Sequence, residues 1–162
     1  MGVYRTKYFG DITIDEKSDF EFIDAIYKGA EINISISDCN IFGEKLGKCL
    51  EMINNYQELD KIAKQAIIDN FKDDGTINYY FECHFDILEE ENLLEIFGVD
   101  TFEEFNINET VKKLGPPDLL FGINDNEIIL SVDYMVSKDY SDEILCVKVD
   151  EESHVTGFSH ES

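Results

Sequence analysis

In a chain this rich in carboxylates the first chemistry to test is calcium binding. Setting Gly75 at the turn glycine of an EF-hand puts Asp74 at the fifth position, but Lys72 at the third and Phe81 at the twelfth. A lysine among the ligands and no bidentate glutamate exclude the motif. The histidines, His84, His154 and His160, show no HExxH or HxH spacing, and no Cys/His cluster supplies a zinc set. His84 falls on an apolar helical face, the usual setting of a satisfied core histidine. The cysteines, Cys39, Cys49, Cys83 and Cys146, lack CxxC spacing. Cys49 and Cys83 share apolar faces with helical runs, so all four read as reduced thiols of a cytoplasmic protein. There is no G-x-S-x-G elbow, no Cys/His nucleophile signature and no glycine-rich loop opening a helix. Carboxylate pairs are so common that adjacency carries no information about acid–base work. The reading is of a protein that is not an enzyme, with no catalytic residue, no metal and no cofactor to name.

What remains is charge. The 162 residues include 36 Asp and Glu against 13 Lys and Arg, a formal net of −23. Such a field repels nucleic acid and anionic membrane, and favours a basic protein as partner. With 43% hydrophobic and 12% aromatic residues the chain still has the material of one folded domain. Two acidic regions are candidates for meeting a basic partner. One lies in the stretch from Lys72 to Lys112, which has no Lys or Arg between those ends; its candidates are Glu89, Glu90, Glu91, Glu103 and Glu104. The other is the outer surface and turn of a C-terminal meander, with Asp133, Asp139, Asp142 and Glu143. The meander is slightly favoured, because a sheet face is rigid and the turn 137–142 projects charge from it. No signal peptide or membrane span is evident, and the match of Gly2 and Thr6 to a myristoylation pattern reads as chance.

The elements that hold these residues follow from hydrophobic period. Residues 4–14 read as a first strand. Residues 20–27 and 31–37 read as a hairpin about Lys28-Gly29, with Ile32, Ile34 and Ile36 pointing inward. The period then becomes helical. Phe42, Leu46, Cys49, Leu50, Ile53 and Tyr56 form one apolar stripe, with Asp38 or Asn40 as N-cap. Leu59, Ile62, Ala63, Ala66, Ile67 and Phe71 form a second. Ile77, Tyr80, Phe81, Cys83, His84, Ile87 and Leu88 form a third, although the aromatic run 79–85 also admits a strand. A short helix ends at Gly98, and Thr101 with Glu104 has capping-box spacing. Gly115-Pro116-Pro117 stops the helices. After it, Ile128, Leu130, Val132, Tyr134 and Val136 alternate, and strands follow at 143–149 and 154–158.

The C-terminal third resembles a known family. Pro117-Asp118-Leu119-Leu120-Phe121-Gly122-Ile123, the Asp133-Tyr134 pair, Asp142-Glu143-Ile144-Leu145-Cys146-Val147 and the closing Glu161-Ser162 are similar to the bacterial DUF2004 family. Tyr8-Phe9-Gly10-Asp11-Ile12 and Leu59-Asp60-Lys61-Ile62-Ala63 also look like it, while Asp118-Leu119-Leu120 departs from the more basic start of that strand. The family implies no enzymatic role. In size, charge and plainness the chain is similar to immunity proteins that neutralise basic toxins, many of them nucleases.

The expected fold is α+β: an antiparallel sheet from an N-terminal hairpin and the C-terminal meander, with three or four helices inserted between them and packed on one face. The expected function is a cytoplasmic immunity-type protein that binds a cognate basic toxin. An acidic binding or structural module of other ligand is the alternative, with a metal-dependent enzyme behind it.

Overall fold

A computed structural model describes residues 1–37 and 43–162. The chain folds as α+β, with two sheets and five α-helices among the described residues. β1 (Gly2–Thr6) and β2 (Gly10–Ile14) form a separate antiparallel hairpin, so the first strand expected over residues 4–14 is in fact two. The break is local chemistry: Thr6 Oγ1 donates to the Gly10 carbonyl at 2.7 Å and accepts from Phe9 N–H at 3.0 Å, and Gly10 takes φ 69°.

The main sheet has six strands in chain order: β3 (Glu21–Tyr27), β4 (Ala30–Ile36), β5 (Asp118–Asn124), β6 (Glu127–Tyr134), β7 (Ile144–Val149) and β8 (Val155–Glu161). Lys28 and Gly29, at φ 50° and 83°, make the left-handed two-residue turn that matches strand twist. Asp125 and Asn126, at φ 50° and 64°, do the same between β5 and β6. β5 was not separated from the meander by its sequence pattern, and it corrects the sheet topology. It pairs parallel with β4, Ile34 opposite Leu119, so the sheet is mostly rather than wholly antiparallel. The long α-helical connection between β4 and β5 is what a parallel pairing requires.

The helices are α1 (Glu44–Asn54), α2 (Tyr56–Asn70), α3 (Gly75–Ile87), α4 (Glu90–Phe97) and α5 (Ile107–Lys113), with a 3-10 turn at Phe102–Glu104. Five is one above the upper end of the expected three or four, because the polar seven-residue α5 has too short an apolar stripe to announce itself. The run 79–85 is helix, not strand: Asp74 caps α3 by accepting from Thr76 N–H and Ile77 N–H at 2.8 and 3.2 Å. Gly98 ends α4 in the left-handed conformation, φ 74°. Thr101, by contrast, makes no side-chain cap bond, so the capping-box spacing is not realised. The N-cap of α1 is Gly43. The expected caps Asp38 and Asn40, with Cys39 and Phe42, lie outside the described residues.

The helices and the β1–β2 hairpin meet one face of the main sheet. Its side chains, among them Ile34, Leu119, Phe121, Leu130, Val132, Leu145 and Val147, form one apolar cluster with Ile53, Leu59, Ile67, Ile77 and Phe81. Buried tyrosines stitch the layers: Tyr56 donates to the Pro117 carbonyl at 2.6 Å, and Tyr134 to Asp60 Oδ1 at 2.6 Å. Tyr8 and Phe9 of the β1–β2 turn pack edge-on against Tyr27 and Tyr56.

Candidate partner-binding surface

The connection from β6 to β7, residues 135–143, holds most of the meander's candidate carboxylates, and α3 fixes its shape. The Tyr80 hydroxyl accepts from Val136 N–H at 3.3 Å and donates to the Glu143 carbonyl at 3.1 Å, gripping both ends of the loop. His84 is fully buried; its Nδ1 faces the Tyr80 carbonyl at 2.7 Å and its Nε2 the Ser141 hydroxyl at 2.8 Å. A carbonyl can only accept, so Nδ1 carries the proton and Nε2 accepts from Ser141. Burial holds the His84 pKa below the ordinary histidine value. His84 is thus a core histidine that also positions a loop. Ser141 Oγ accepts in turn from Glu143 N–H at 3.2 Å.

On this frame the candidate residues of the meander divide. Asp139 and Asp142 are exposed on the loop. Glu143 is half-buried and paired with His160 Nε2. Asp133 belongs to the sheet face that the helices leave open, opposite Asp118 on β5 and Cys146 on β7. It accepts from Ser131 Oγ, which also accepts from Lys148 Nζ at 3.2 Å, and burial raises its carboxyl pKa.

The structure joins the two acidic regions at one point. Tyr140, exposed between Asp139 and Asp142 in the chain, donates its hydroxyl to Glu95 Oε2 of α4 at 3.1 Å. Its pKa is raised first by that bond, then by the charges of Glu95, Asp139 and Glu91. Glu90 and Glu91 lie exposed in the first turn of α4, after Glu89 at its N-cap. One acidic surface therefore runs from 89–91 and Glu95 across Tyr140 to Asp139. Glu103 and Glu104 are exposed on the 3-10 turn, and no described hydrogen bond ties them to that acidic surface.

Among the described residues no group of three or more His, Cys, Asp or Glu side chains converges on a metal position. Cys49, Cys83 and Cys146 are buried and unpaired, their thiol pKa values pushed up by burial to about 12, 11 and 12. That keeps them protonated and poor nucleophiles. A cleft of about 400 Å³ opens beside Asp118 and Asp133, walled by Pro116, Met135, Lys113 and Lys138. No described helix is long and apolar enough to cross a membrane.

One class of residue escaped the sequence reading: the apolar side chains on the open sheet face, Phe20, Phe22, Ile26 and Leu120. Alternation around Phe22-Ile23 is apolar on both faces, so period alone does not say which side is wet. Comparison of the chain with protein-family models, with curated proteins and with solved structures gave no match. The likeness to DUF2004 rests on its short motifs alone.

Proposed function

We propose that this chain is an immunity-type protein of the cytoplasm that binds and neutralises a basic toxin, with no chemistry of its own. The observation that supports this reading is the meeting of α4 and the β6–β7 loop at Tyr140. It gathers Glu91, Glu95 and Asp139 on an exposed surface of a chain whose net charge is −23. A field of this sign speeds encounter with a cationic partner and penalises anionic ones. A frame anchored through buried Tyr80 and His84 holds the loop in place before binding, which lowers the ordering cost.

The test is genetic. Fragments of the source genome are expressed from an inducible library, and clones that arrest growth are retransformed with this gene. Relief of arrest in a clone encoding a basic protein is the expected result, with a complex of the two purified proteins that weakens as salt rises. Charge reversal at Glu91, Asp139 and Asp142 should slow association at low salt while leaving Glu143 in its pair with His160. If no arrested clone is relieved, the immunity reading falls.

A further inference from the structure

We propose that the open face of the main sheet is a docking surface for a cationic protein that brings apolar side chains to Phe22 and Leu120. The inference rests on the reading above and adds where the apolar contact is made.

The pairing registers lay out two rows across this face. One runs Phe22, Ser35, Leu120, Ser131, Lys148 from β3 to β7. Large apolar residues alternate with small hydroxyls, giving ridges either side of a hollow at Ser35. On the same face along β5 comes Gly122, where, among the described residues, an added Cβ would touch only Ser37 Oγ, at 3.4 Å. The floor there is low because a side chain is missing. Phe22 is 62% exposed, Ile26 66% and Leu120 36%, and Phe20 stacks on Phe22 with ring centroids 6.4 Å apart. Among the described residues the helices and the β1–β2 hairpin join the opposite face. Contiguous exposed aromatic and aliphatic groups rimmed by polar ones mark a site of association.

The second row supplies the charge: Asp24, Asn33, Asp118, Asp133, Cys146, Ser159. Glu31 and Glu161 also point to this side, against Lys148 on the strands and Lys113 and Lys138 at the cleft beside Asp118 and Asp133. Lys148 is already engaged with Ser131. A second copy of the chain is the wrong occupant. An isologous contact would set these carboxylates against their own images, between molecules that each carry −23. The complementary surface is one with Lys or Arg around an apolar anchor.

The probes are a peptide of alternating lysine and leucine, and polylysine of the same length. Each is titrated at low salt into isotope-labelled protein while the backbone amide shifts are followed. The alternating peptide should bind about tenfold or more tightly than polylysine, from burial of leucine on the open face. Its shifts should centre on β3, β5 and β6. Phe22→Thr with Leu120→Thr keeps strand-favouring side chains at outward positions, and should reduce the alternating peptide to the level of polylysine. Asp139→Lys should weaken both peptides and leave their ratio unchanged. If the double variant does not fold, Phe22→Thr on the edge strand alone should at least halve the preference. Shifts confined to α4 and residues 135–143, with the preference intact in the variants, overturn the open face and leave the basic-partner reading standing. No shift with either peptide overturns both. A dimer of the wild type that Phe22→Thr dissolves also overturns the proposal, since the face would then seat a second copy.

Discussion

Two buried side chains, Tyr80 and His84, hold the loop that connects β6 to β7, and these two and Asp133 of the open face each depend on pH differently. Tyr80 has no charge to lose near neutrality, since burial raises its phenol pKa. Its hydroxyl is the partner of Val136 N–H and the Glu143 carbonyl. Tyr80→Phe leaves both without it in a dry site, and should cost about 1–3 kcal/mol in urea unfolding. His84 behaves differently. Its folded pKa lies below the unfolded value, so the stability it contributes is present above about 6.5 and is lost as pH falls toward the folded pKa. Tyr80, Cys83, Ser141, Glu143 and His160 surround it, so its protonation also removes the acceptor for Ser141. His84→Asn should flatten the decline of the urea midpoint between neutral pH and pH about 5. Asp133 has the opposite sign. Its folded pKa is raised by burial, so its favourable contribution exists below the unfolded value and is lost as pH rises through the folded one. Asp133→Asn should raise the thermal midpoint at neutral pH and lose that gain by pH about 3. An equal gain at both values would mean the carboxyl is not desolvated.

At the scale of elements, capping separates sequence spacing from realised structure. Asp74 and Thr101 both stand where an N-cap belongs, yet only Asp74 accepts from the helix it precedes. Asp74→Ala should cost about 1 kcal/mol, and Thr101→Ala a few tenths at most. Equal losses would show that Thr101 caps its turn in solution. The same contrast explains what was legible in the strands. β4 and β6 were visible because their inward isoleucines, leucines and valines alternate with polar residues. β5 was hidden because Leu119, Leu120 and Phe121 are apolar in succession, although Leu120 points away from the core and is 36% exposed. Its one local signal is the Asp125-Asn126 turn, whose left-handed pair marks a hairpin start without a glycine.

For the whole molecule, the charge on which the proposed basic partner rests also strains the fold. At −23 the carboxylates repel one another, and the described ion pairs are mostly between exposed side chains worth little each. Salt should therefore stabilise this protein. Raising sodium chloride from about 0.01 M to 1 M shortens the screening length from about 30 to 3 Å, and the thermal midpoint should climb through that range. A midpoint that falls with salt would show that attractive pairs, such as Lys45–Glu151 at 2.7 Å between α1 and the β7–β8 turn, outweigh the repulsion.

Period and composition by themselves determined the α+β class, the order hairpin–helices–meander, the turn at Lys28-Gly29 and the acidity. These depend on neighbours within a few residues, or on sums over the chain, and both are present before folding. Only the tertiary structure decided how the surfaces are assembled. It brought Glu91 and Glu95 beside Asp139 through Tyr140, paired Glu143 with His160, and set Asp133 apart on the open face. It also made β4 and β5 parallel neighbours across the whole helical insertion, which put Phe22, Ser35 and Leu120 in one row. Such contacts join residues from distant parts of the chain, and hydrophobic period does not encode which strand lies beside which. The way its exposed surfaces are assembled is therefore a property of sheet order and loop anchoring, while its charge is a property of the chain.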